Sequence, residues 1–317
     1  MGELRREDPS DGKPPNDVER PLMDHLVELS IRLRRIFIAV LLAGGVLSFI
    51  PIDLKYYIPL ISYFPNALIN HVLPKEVTWR GHTYVVKIAQ FNPFAGFSLL
   101  LKSALLLGLL GASPVIAHEI YAYIEPALYP HEKKLFKRLG FVAVGLFMLG
   151  VVLAIWFVLP FAFKIMIITS AAVVGPNKLI AFSDVEKLFS TIILISVATG
   201  AAFEAPLIVY LLVYLGIIDE TWFRGDNLKY IFLASIFLGA VISPDPSGIG
   251  MLIIGTAMFL SIVAAAKLGA RKKSPEAQRR RRTRKSHTPT AATAKAPAVV
   301  NQYTRINSLP TAVAAGH

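Results

Sequence analysis

A run of ionisable residues at 21–35, PLMDHLVELSIRLRR, has a spacing that gathers several of them on one side of a helix. His25, Glu28 and Arg32 share one helical face, and leucines recur on the opposing face. A face with imidazole, carboxylate and guanidinium groups could bind a polar ligand. The alternative is an amphipathic, interfacial lead-in to a membrane helix. The spacing alone favours the lead-in.

A second group of ionisable residues follows aromatic and proline residues in YAYIEPALYPHEKKL, at 121–135. Glu125 and Glu132 stand near Lys133 and Lys134. By itself this pattern is typical of a turn between two helices, because prolines end one helix and solvated charges begin the next. A binding role is the alternative.

Glu204 is a carboxylate inside a long apolar stretch, ATGAAFEAPLIVYLL, far from any other charge. An ionisable group at membrane depth is costly and usually faces a protein interior or a water-filled cavity. The alternative is a carboxyl group that only hydrogen-bonds a neighbouring helix. We favour a functional role, and Pro206 beside it predicts a kink in the helix.

The elements that must position these residues follow from the composition. Of 317 residues, 54% are hydrophobic and 17% charged, with a mean hydropathy of +0.55. Soluble domains have about 25% charged residues. The chain contains no cysteine, which excludes disulfides and thiolate chemistry. The composition therefore predicts a membrane protein.

Six apolar segments predict an all-α, polytopic membrane fold with six transmembrane helices, because every backbone amide in lipid needs an internal partner. The predicted spans are about 36–50, 93–117, 139–163, 188–218, 230–243 and 249–266. Most of the 33 lysines and arginines lie on the side that carries both termini, so both termini are predicted to be cytoplasmic. This asymmetry also explains the net charge of +12 without nucleic acid.

The remaining segments define the domain organisation. Residues 1–20 form a polar N-terminal tail without the apolar core of a signal peptide, and 21–267 form the membrane domain. Residues 51–92 predict an extracytoplasmic cap with short interfacial helices. The basic stretch at 268–317, rich in alanine, threonine and proline, predicts a disordered cytoplasmic tail that touches anionic lipid.

Several motifs resemble the twin-arginine translocase subunit TatC family in order and spacing. They are HLVEL followed by Arg32 and Leu33, FNPFAGFSLLLK, SPVIAHEIYAYIEPALYPHEKK, GAAFEAPLIVYLL and ISPDPSG. The resemblance covers about residues 21–267 and all six predicted spans. Because PALYPHEKK and FEAP stand on either side of the third span, the combination is specific.

The resemblance implies a receptor and core subunit that binds the twin-arginine signal peptides of folded precursors at the cytoplasmic face. By motif position, Glu28 and Glu132 hold the two arginines, and Tyr123 and His131 belong to the same binding region. This assignment is chemically sensible, since a carboxylate accepts two parallel hydrogen bonds from a planar guanidinium and a lysine cannot reproduce them.

The resemblance also implies how export proceeds. Glu204, Pro59 and Asp245 fall at family-typical positions on the partner or transport path. The implied partners are small single-span TatA/TatB-type subunits and further copies of the chain, in a prokaryotic cell membrane. Export is driven by the proton-motive force. The resemblance implies no enzymatic activity, cofactor, metal or nucleic acid.

Two positions depart from the family pattern. The family usually has arginine where this chain has Ser30, so the pairing of that arginine is missing or is moved to Arg32, Arg34 or Arg35. Tyr123 stands where a phenylalanine is usual and adds a hydroxyl group.

Two other classes of function remain as alternatives. A membrane metalloenzyme could use histidine–glutamate pairs, although the sequence has neither HExxH nor paired histidines at metal spacing. The pairs are His25 with Glu28, His118 with Glu119, and His131 with Glu132. A secondary transporter could use Glu204 as a proton or cation site beside a broken helix, although no internal repeat is visible.

Overall fold

The computed structural model describes residues 22–128, 130–174, 182–243 and 247–272, and within them helices dominate, as predicted. The α-helices are α1 (Leu22–Ser48), α2 (Leu60–Val72), α3 (Ala95–Ile124), α4 (Pro130–Leu153), α5 (Leu159–Val174), α6 (Val185–Ala202), α7 (Ala205–Tyr214), α8 (Leu228–Ile242) and α9 (Ile249–Arg271). The predicted tail at 1–20 and most of the predicted tail at 268–317 lie outside the described residues, as does Asp245.

Five stretches of the described chain are long and apolar enough to cross a membrane. They are Ala95–Ile124, Glu132–Val173, Val185–Tyr214, Gly225–Ile242 and Ile249–Arg271. These agree with the second to sixth predicted spans. The first predicted span lies in α1, whose arginines at 32, 34 and 35 shorten its apolar part to about 20 Å of helix. The six-span count therefore remains a prediction.

The helices extend further than the apolar runs from which they were predicted. The lead-in from Leu22 onwards and most of the first predicted span form one continuous helix, α1 (Leu22–Ser48). Helix α4 begins at Pro130, and a π-helical turn at Ala154–Val158 joins it to α5. Proline suits a first helical position because its missing N–H has no partner there anyway. Charged residues outside the lipid therefore continue the helices that cross it.

The fourth predicted span is interrupted beside Pro206, where the sequence predicts a kink. Helix α6 ends at Ala202 and α7 begins at Ala205, with Pro206 in its first turn. Around the break, Glu204 N–H donates to the carbonyl of Ala201, and Ile208 N–H donates to the carbonyl of Glu204. The backbone bonds on either side of Glu204 are therefore kept.

The two ends of the bundle differ. Helices α1 and α3 are antiparallel, since Arg32 meets Glu119 and Gly44 meets Gly108. The end at which α1 begins, α3 gives way to α4, and α9 ends is called the basic end below. The opposite end, where α1 ends and α3 and α6 begin, is called the cap end. The chain thus enters and leaves the bundle at the basic end.

In the described residues the cap contains α2, which lies in the region where short interfacial helices were predicted, and six short strands that the sequence did not predict. Strand β1 (Pro51–Asp53) pairs with β2 (Ile58–Pro59), β3 (Glu76–Trp79) with β4 (His82–Val85), and β5 (Lys87–Ala89) with β6 (Phe182–Asp184). The first two pairs are antiparallel and the third is parallel. Strands of two to four residues are too short to show a recognisable alternation.

A buried apolar cluster fixes the cap to the bundle. Its members come from α2, α3, α5 and α6: Leu68, Ile69, Val72, Leu73, Leu106, Leu159, Phe163, Leu188, Phe189, Ile192 and Ile195. Four members, Leu68, Ile69, Val72 and Leu73, come from α2 and the residue after it, and they pack against residues of the membrane-spanning helices. The cap helix α2 is therefore part of the core.

Candidate functional site

The position of α1 against α3 is set by two glycines. A Cβ atom on Gly108 would lie 3.1 Å from the Cα atom of Gly44 and would overlap the carbonyl oxygen of Val40. Only a residue without a side chain permits this approach. The contact holds the two helices close together along the half that lies towards the cap. It thereby fixes which residues face each other at the basic end.

At the basic end, Arg32 bridges two carboxylates. Its Nη2 and Nε atoms donate to Oε1 of Glu28 at 2.6 and 3.1 Å, and its Nη1 atom donates to Oε2 of Glu119 at 3.2 Å. Arg35 adds a weaker contact, with Nη1 3.7 Å from Oε1 of Glu119. Hydrogen bonding to Glu28 is the largest cause that raises the pKa of Arg32, and Glu119 adds to it. The guanidinium therefore stays charged.

This cluster shows which arginine pairs with Glu28 in a chain that has Ser30 where the family usually has arginine. Ser30 is exposed, whereas Arg32 lies one helical turn after Glu28 and pairs with it. The pairing of the motif glutamate is therefore made by Arg32. A shallow cavity of about 360 Å³ beside the pair is lined by α1 residues that include Asp24, Glu28 and Arg35.

The connection from α3 to α4 lies at the same end. Tyr123 is 38% exposed near the end of α3, and Glu132 is buried in the first turn of α4. Lys133 Nζ donates to Oε1 of Glu125 at 3.2 Å, which ties the start of α4 to the end of α3. The Glu132 carboxylate is within electrostatic reach of Tyr214 at the end of α7. The side chain of His131 lies outside the described part of the structure.

Glu204 lines a lateral groove of about 580 Å³ between α3, α4 and α6–α7. The walls are mostly apolar, with Ser113 and Tyr121 as the other polar residues. Glu204 is half-buried and lies about 15 Å from the end of α7, nearer to the basic end than to the cap. The Glu204 carboxyl group can thus contact a polar group that enters the groove from the side.

Close packing of α4 on α6 sets the position of this carboxyl group. A Cβ atom on Gly150 would lie 2.8 Å from the Cα atom of Gly200, and a Cβ atom on Gly200 would lie 2.8 Å from the ring of Phe147, also on α4. Glu204 follows Gly200 by one helical turn. The helix break therefore occurs where α4 and α6 touch, and it turns Glu204 into the groove beside Phe147.

Pro59, the other described position that was predicted to lie on the partner or transport path, is not brought together with Glu204. Pro59 pairs with Pro51 in the first cap hairpin and stands immediately before α2. It lies at the cap end, away from Glu28 and Glu132. The structure therefore separates a charged cluster at the basic end, a groove along the bundle and a proline in the cap.

Glu119 is a site residue that the sequence did not identify as an arginine partner. It appeared only as a possible metal ligand beside His118. The signal available in the sequence was a carboxylate near the end of an apolar helix, and the structure shows that this carboxylate is buried. In the described part of the chain, no group of three or more histidine, aspartate or glutamate side chains could hold a metal ion.

Comparisons with known proteins agree with this architecture. The family model described as Sec-independent protein translocase protein (TatC) matches residues 24–256. The TatC protein of Aquifex aeolicus (strain VF5) is 31% identical over 256 residues, which cover 80% of this chain and 97% of that protein. The TatC protein of Escherichia coli (strain K12) is 26% identical over 227 residues, covering 71% and 79%.

The structural comparison gives the same family. A crystal structure described as twin arginine translocase receptor TatC in DDM is similar with a TM-score of 0.58 and 28% sequence identity. The match covers 77% of this chain and 99% of that chain.

Proposed function

The chain belongs to the TatC family of Sec-independent protein translocase proteins, and from this premise we propose that it receives twin-arginine signal peptides of folded precursors at the basic end. It is a multi-pass protein of the cytoplasmic membrane and a core subunit of the twin-arginine translocase. The basic end is then the cytoplasmic face.

The observation that supports this proposal is the guanidinium group of Arg32, which is hydrogen-bonded to Glu28. Two of its nitrogens donate to one oxygen of Glu28, at 2.6 and 3.1 Å. A guanidinium can therefore reach Glu28 with hydrogen-bonding geometry from a partly buried position. A cargo arginine has the same group and can make the same contact.

Glu132 is proposed as the second arginine-binding carboxylate. It is 3% exposed at the start of α4, and burial strengthens a charge-assisted hydrogen bond. Tyr123, near the end of α3, offers a half-exposed ring on which a guanidinium can stack, and His131 follows in the first turn of α4. Two carboxylates on different helices can bind two adjacent arginines, one each. The spacing of the arginine pair therefore contributes to specificity.

The later stage of export is proposed to use the lateral groove. Small single-span TatA/TatB-type subunits are the proposed partners, and a polar residue on such a helix can meet Glu204. Pro59, in the cap, and Asp245, in the segment before α9, are proposed to act on the same path. Further copies of the chain are proposed to complete the complex, with the proton-motive force driving transport.

The experiment is a binding titration on the full chain in lipid nanodiscs. Glu28→Gln and Glu132→Gln should each weaken binding of a twin-arginine signal peptide by roughly one to two decades, since each removes a charge-assisted hydrogen bond. Glu220→Gln is the matched control, because Glu220 is a carboxylate of the same end paired with Arg224. A twin-lysine peptide should bind weakly to all variants. Unchanged twin-arginine binding in both Glu28→Gln and Glu132→Gln would reject the site.

A further inference from the structure

We infer that Arg32 is a resident occupant of the cargo-binding carboxylate Glu28, and that Glu119 receives Arg32 when a cargo arginine takes its place. Glu119 is then a positioning residue that sets cargo affinity without touching cargo. The inference rests on the proposed function, because it concerns the same carboxylate.

The hydrogen bonds of Arg32 permit such an exchange. Nη2 and Nε face Glu28, whereas Nη1 faces Glu119 at 3.2 Å. A guanidinium carries five N–H donors on a planar fork, so it can release one carboxylate while it keeps the other. The shortest contact, 2.6 Å, is made to Glu28, which is therefore the main partner of Arg32 at rest.

Burial explains why the displaced guanidinium needs a second partner. The side chains of Arg32 and Glu119 are 17% and 11% exposed. A charge at this depth is costly when it is unpaired. Glu119 provides the counter-charge from α3 as Arg32 leaves Glu28. Without Glu119, Arg32 has only Glu28 and competes more strongly with cargo.

The helices need not move for this exchange. The contact between Gly44 and Gly108 holds α1 against α3 independently of Arg32, about three turns further along α1. A rotation of the long arginine side chain is therefore enough to release the hydrogen bonds from Arg32 to Glu28. Arg35 lies on the same helix, with Nη1 3.7 Å from Oε1 of Glu119, and keeps the carboxylate of Glu119 near α1.

A different role for Arg32 makes the opposite prediction. If Arg32 served only to hold α1 against α3, the loss of Arg32 and the loss of Glu119 would both disturb the site. Both would then weaken cargo binding. The exchange predicts opposite changes in cargo affinity. Loss of Arg32 strengthens cargo binding because Arg32 competes with cargo, and loss of Glu119 weakens it because Glu119 relieves that competition.

The test measures binding of a fluorescent twin-arginine signal peptide to the full chain in nanodiscs. Glu119→Gln should weaken binding about tenfold, and Arg32→Gln should tighten it about tenfold. The double variant should bind like Arg32→Gln, because Glu119 matters only while Arg32 is present. Arg32→Lys, which keeps the charge but lacks the fork, should bind more tightly than the unchanged chain and less tightly than Arg32→Gln.

Arg34→Gln is the matched control for charge. Arg34 is exposed on the same helix, so its loss changes the net charge without opening Glu28. If Arg34→Gln tightened peptide binding as much as Arg32→Gln does, long-range electrostatics would explain the effect. That result would overturn the inference. Weakened binding in both Arg32→Gln and Arg32→Lys would also overturn it. Failure of the proposed function is seen separately, as unchanged twin-arginine binding in both Glu28→Gln and Glu132→Gln.

Discussion

Lys102 on α3 and Glu186 on α6 form an ion pair at the cap end, with Nζ 3.2 Å from Oε1. The pair is surrounded by its own hydrogen-bond partners. Ser98 and Asn92 donate to the Glu186 carboxylate at 2.7 and 3.1 Å, and Lys102 also donates to the hydroxyl of Ser190 at 2.8 Å. This network joins two helices that both border the buried cluster under the cap.

Removing one member of the pair is expected to lower stability more than removing both. Lys102→Met leaves the Glu186 charge without its cation near the lipid, and Glu186→Gln leaves the ammonium group without its anion. Each single variant should lower the thermal unfolding temperature in detergent, and the double variant should recover part of the loss. Lys75→Met, at an exposed cap position, is the control. Additive losses in the double variant would show that the two charges do not depend on each other.

Gly108→Ala should destabilise the contact between α1 and α3. The added methyl group would overlap the carbonyl oxygen of Val40 and crowd Gly44, so the helices must separate. Overpacking of this kind costs about 1–3 kcal/mol. Gly45→Ala is the matched control, because a Cβ atom at Gly45 meets nothing within 4 Å. Thermal unfolding of both variants measures the difference, and equal stability would refute the close-contact argument.

Gly108→Ala should also alter the charged cluster of Glu28, Arg32 and Glu119 at the basic end. Separation of α1 from α3 lengthens the 3.2 Å contact between Arg32 and Glu119, while the contacts within α1 to Glu28 remain. Gly108→Ala should therefore resemble Glu119→Gln in cargo binding. Gly45→Ala should bind cargo like the unchanged chain.

The sequence predicts the membrane helices well because lipid imposes a simple rule on the chain. Long apolar runs must be helical, and the proline at 206 marks the break before α7. The rule says nothing about where a helix ends outside lipid. Helices α1 and α4 therefore begin earlier than the apolar runs, at Leu22 and Pro130. The cap strands escape prediction because they are too short to show a period.

The charged cluster depends on information that a single sequence does not contain. Glu28 and Arg32 are one turn apart, so their pairing is visible in the spacing. Glu119 is 87 positions from Arg32, and the register of α3 against α1 decides whether they meet. That register depends on the fit of Gly44 against Gly108, which spacing along the chain cannot reveal.

Orientation in the membrane can be tested by cysteine labelling, since the native chain has no cysteine. The basic end should be cytoplasmic, because lysine and arginine are enriched in cytoplasmic loops. A cysteine at Arg224, in the connection from α7 to α8, should react only after the membrane is opened. A cysteine at Arg80, exposed in the hairpin of β3 and β4, should react with an impermeant reagent in intact cells. The reverse pattern would overturn the orientation.

Glu204 should be dispensable for signal-peptide binding and needed for a later step of export. Its carboxyl group lies in the lateral groove, about 15 Å from the end of α7, whereas Glu28 and Glu132 lie at the basic end itself. Glu204→Ala should keep the precursor bound but lose transport and crosslinks to a partner helix. A hydrogen bond between membrane helices contributes about 1–2 kcal/mol in model peptides, which is enough to shift docking by roughly a decade.

The glutamine variant separates hydrogen bonding from ionisation at this position. Glu204→Gln keeps the shape and polarity of the side chain, so it should retain much of the transport if a hydrogen bond to the incoming helix is sufficient. Equal loss in Glu204→Gln and Glu204→Ala would show that the carboxyl group must ionise. Leu207→Ala, on the wall of the same groove, controls for a loss of packing. Full transport by Glu204→Ala would remove Glu204 from the mechanism and leave the groove as an apolar surface alone.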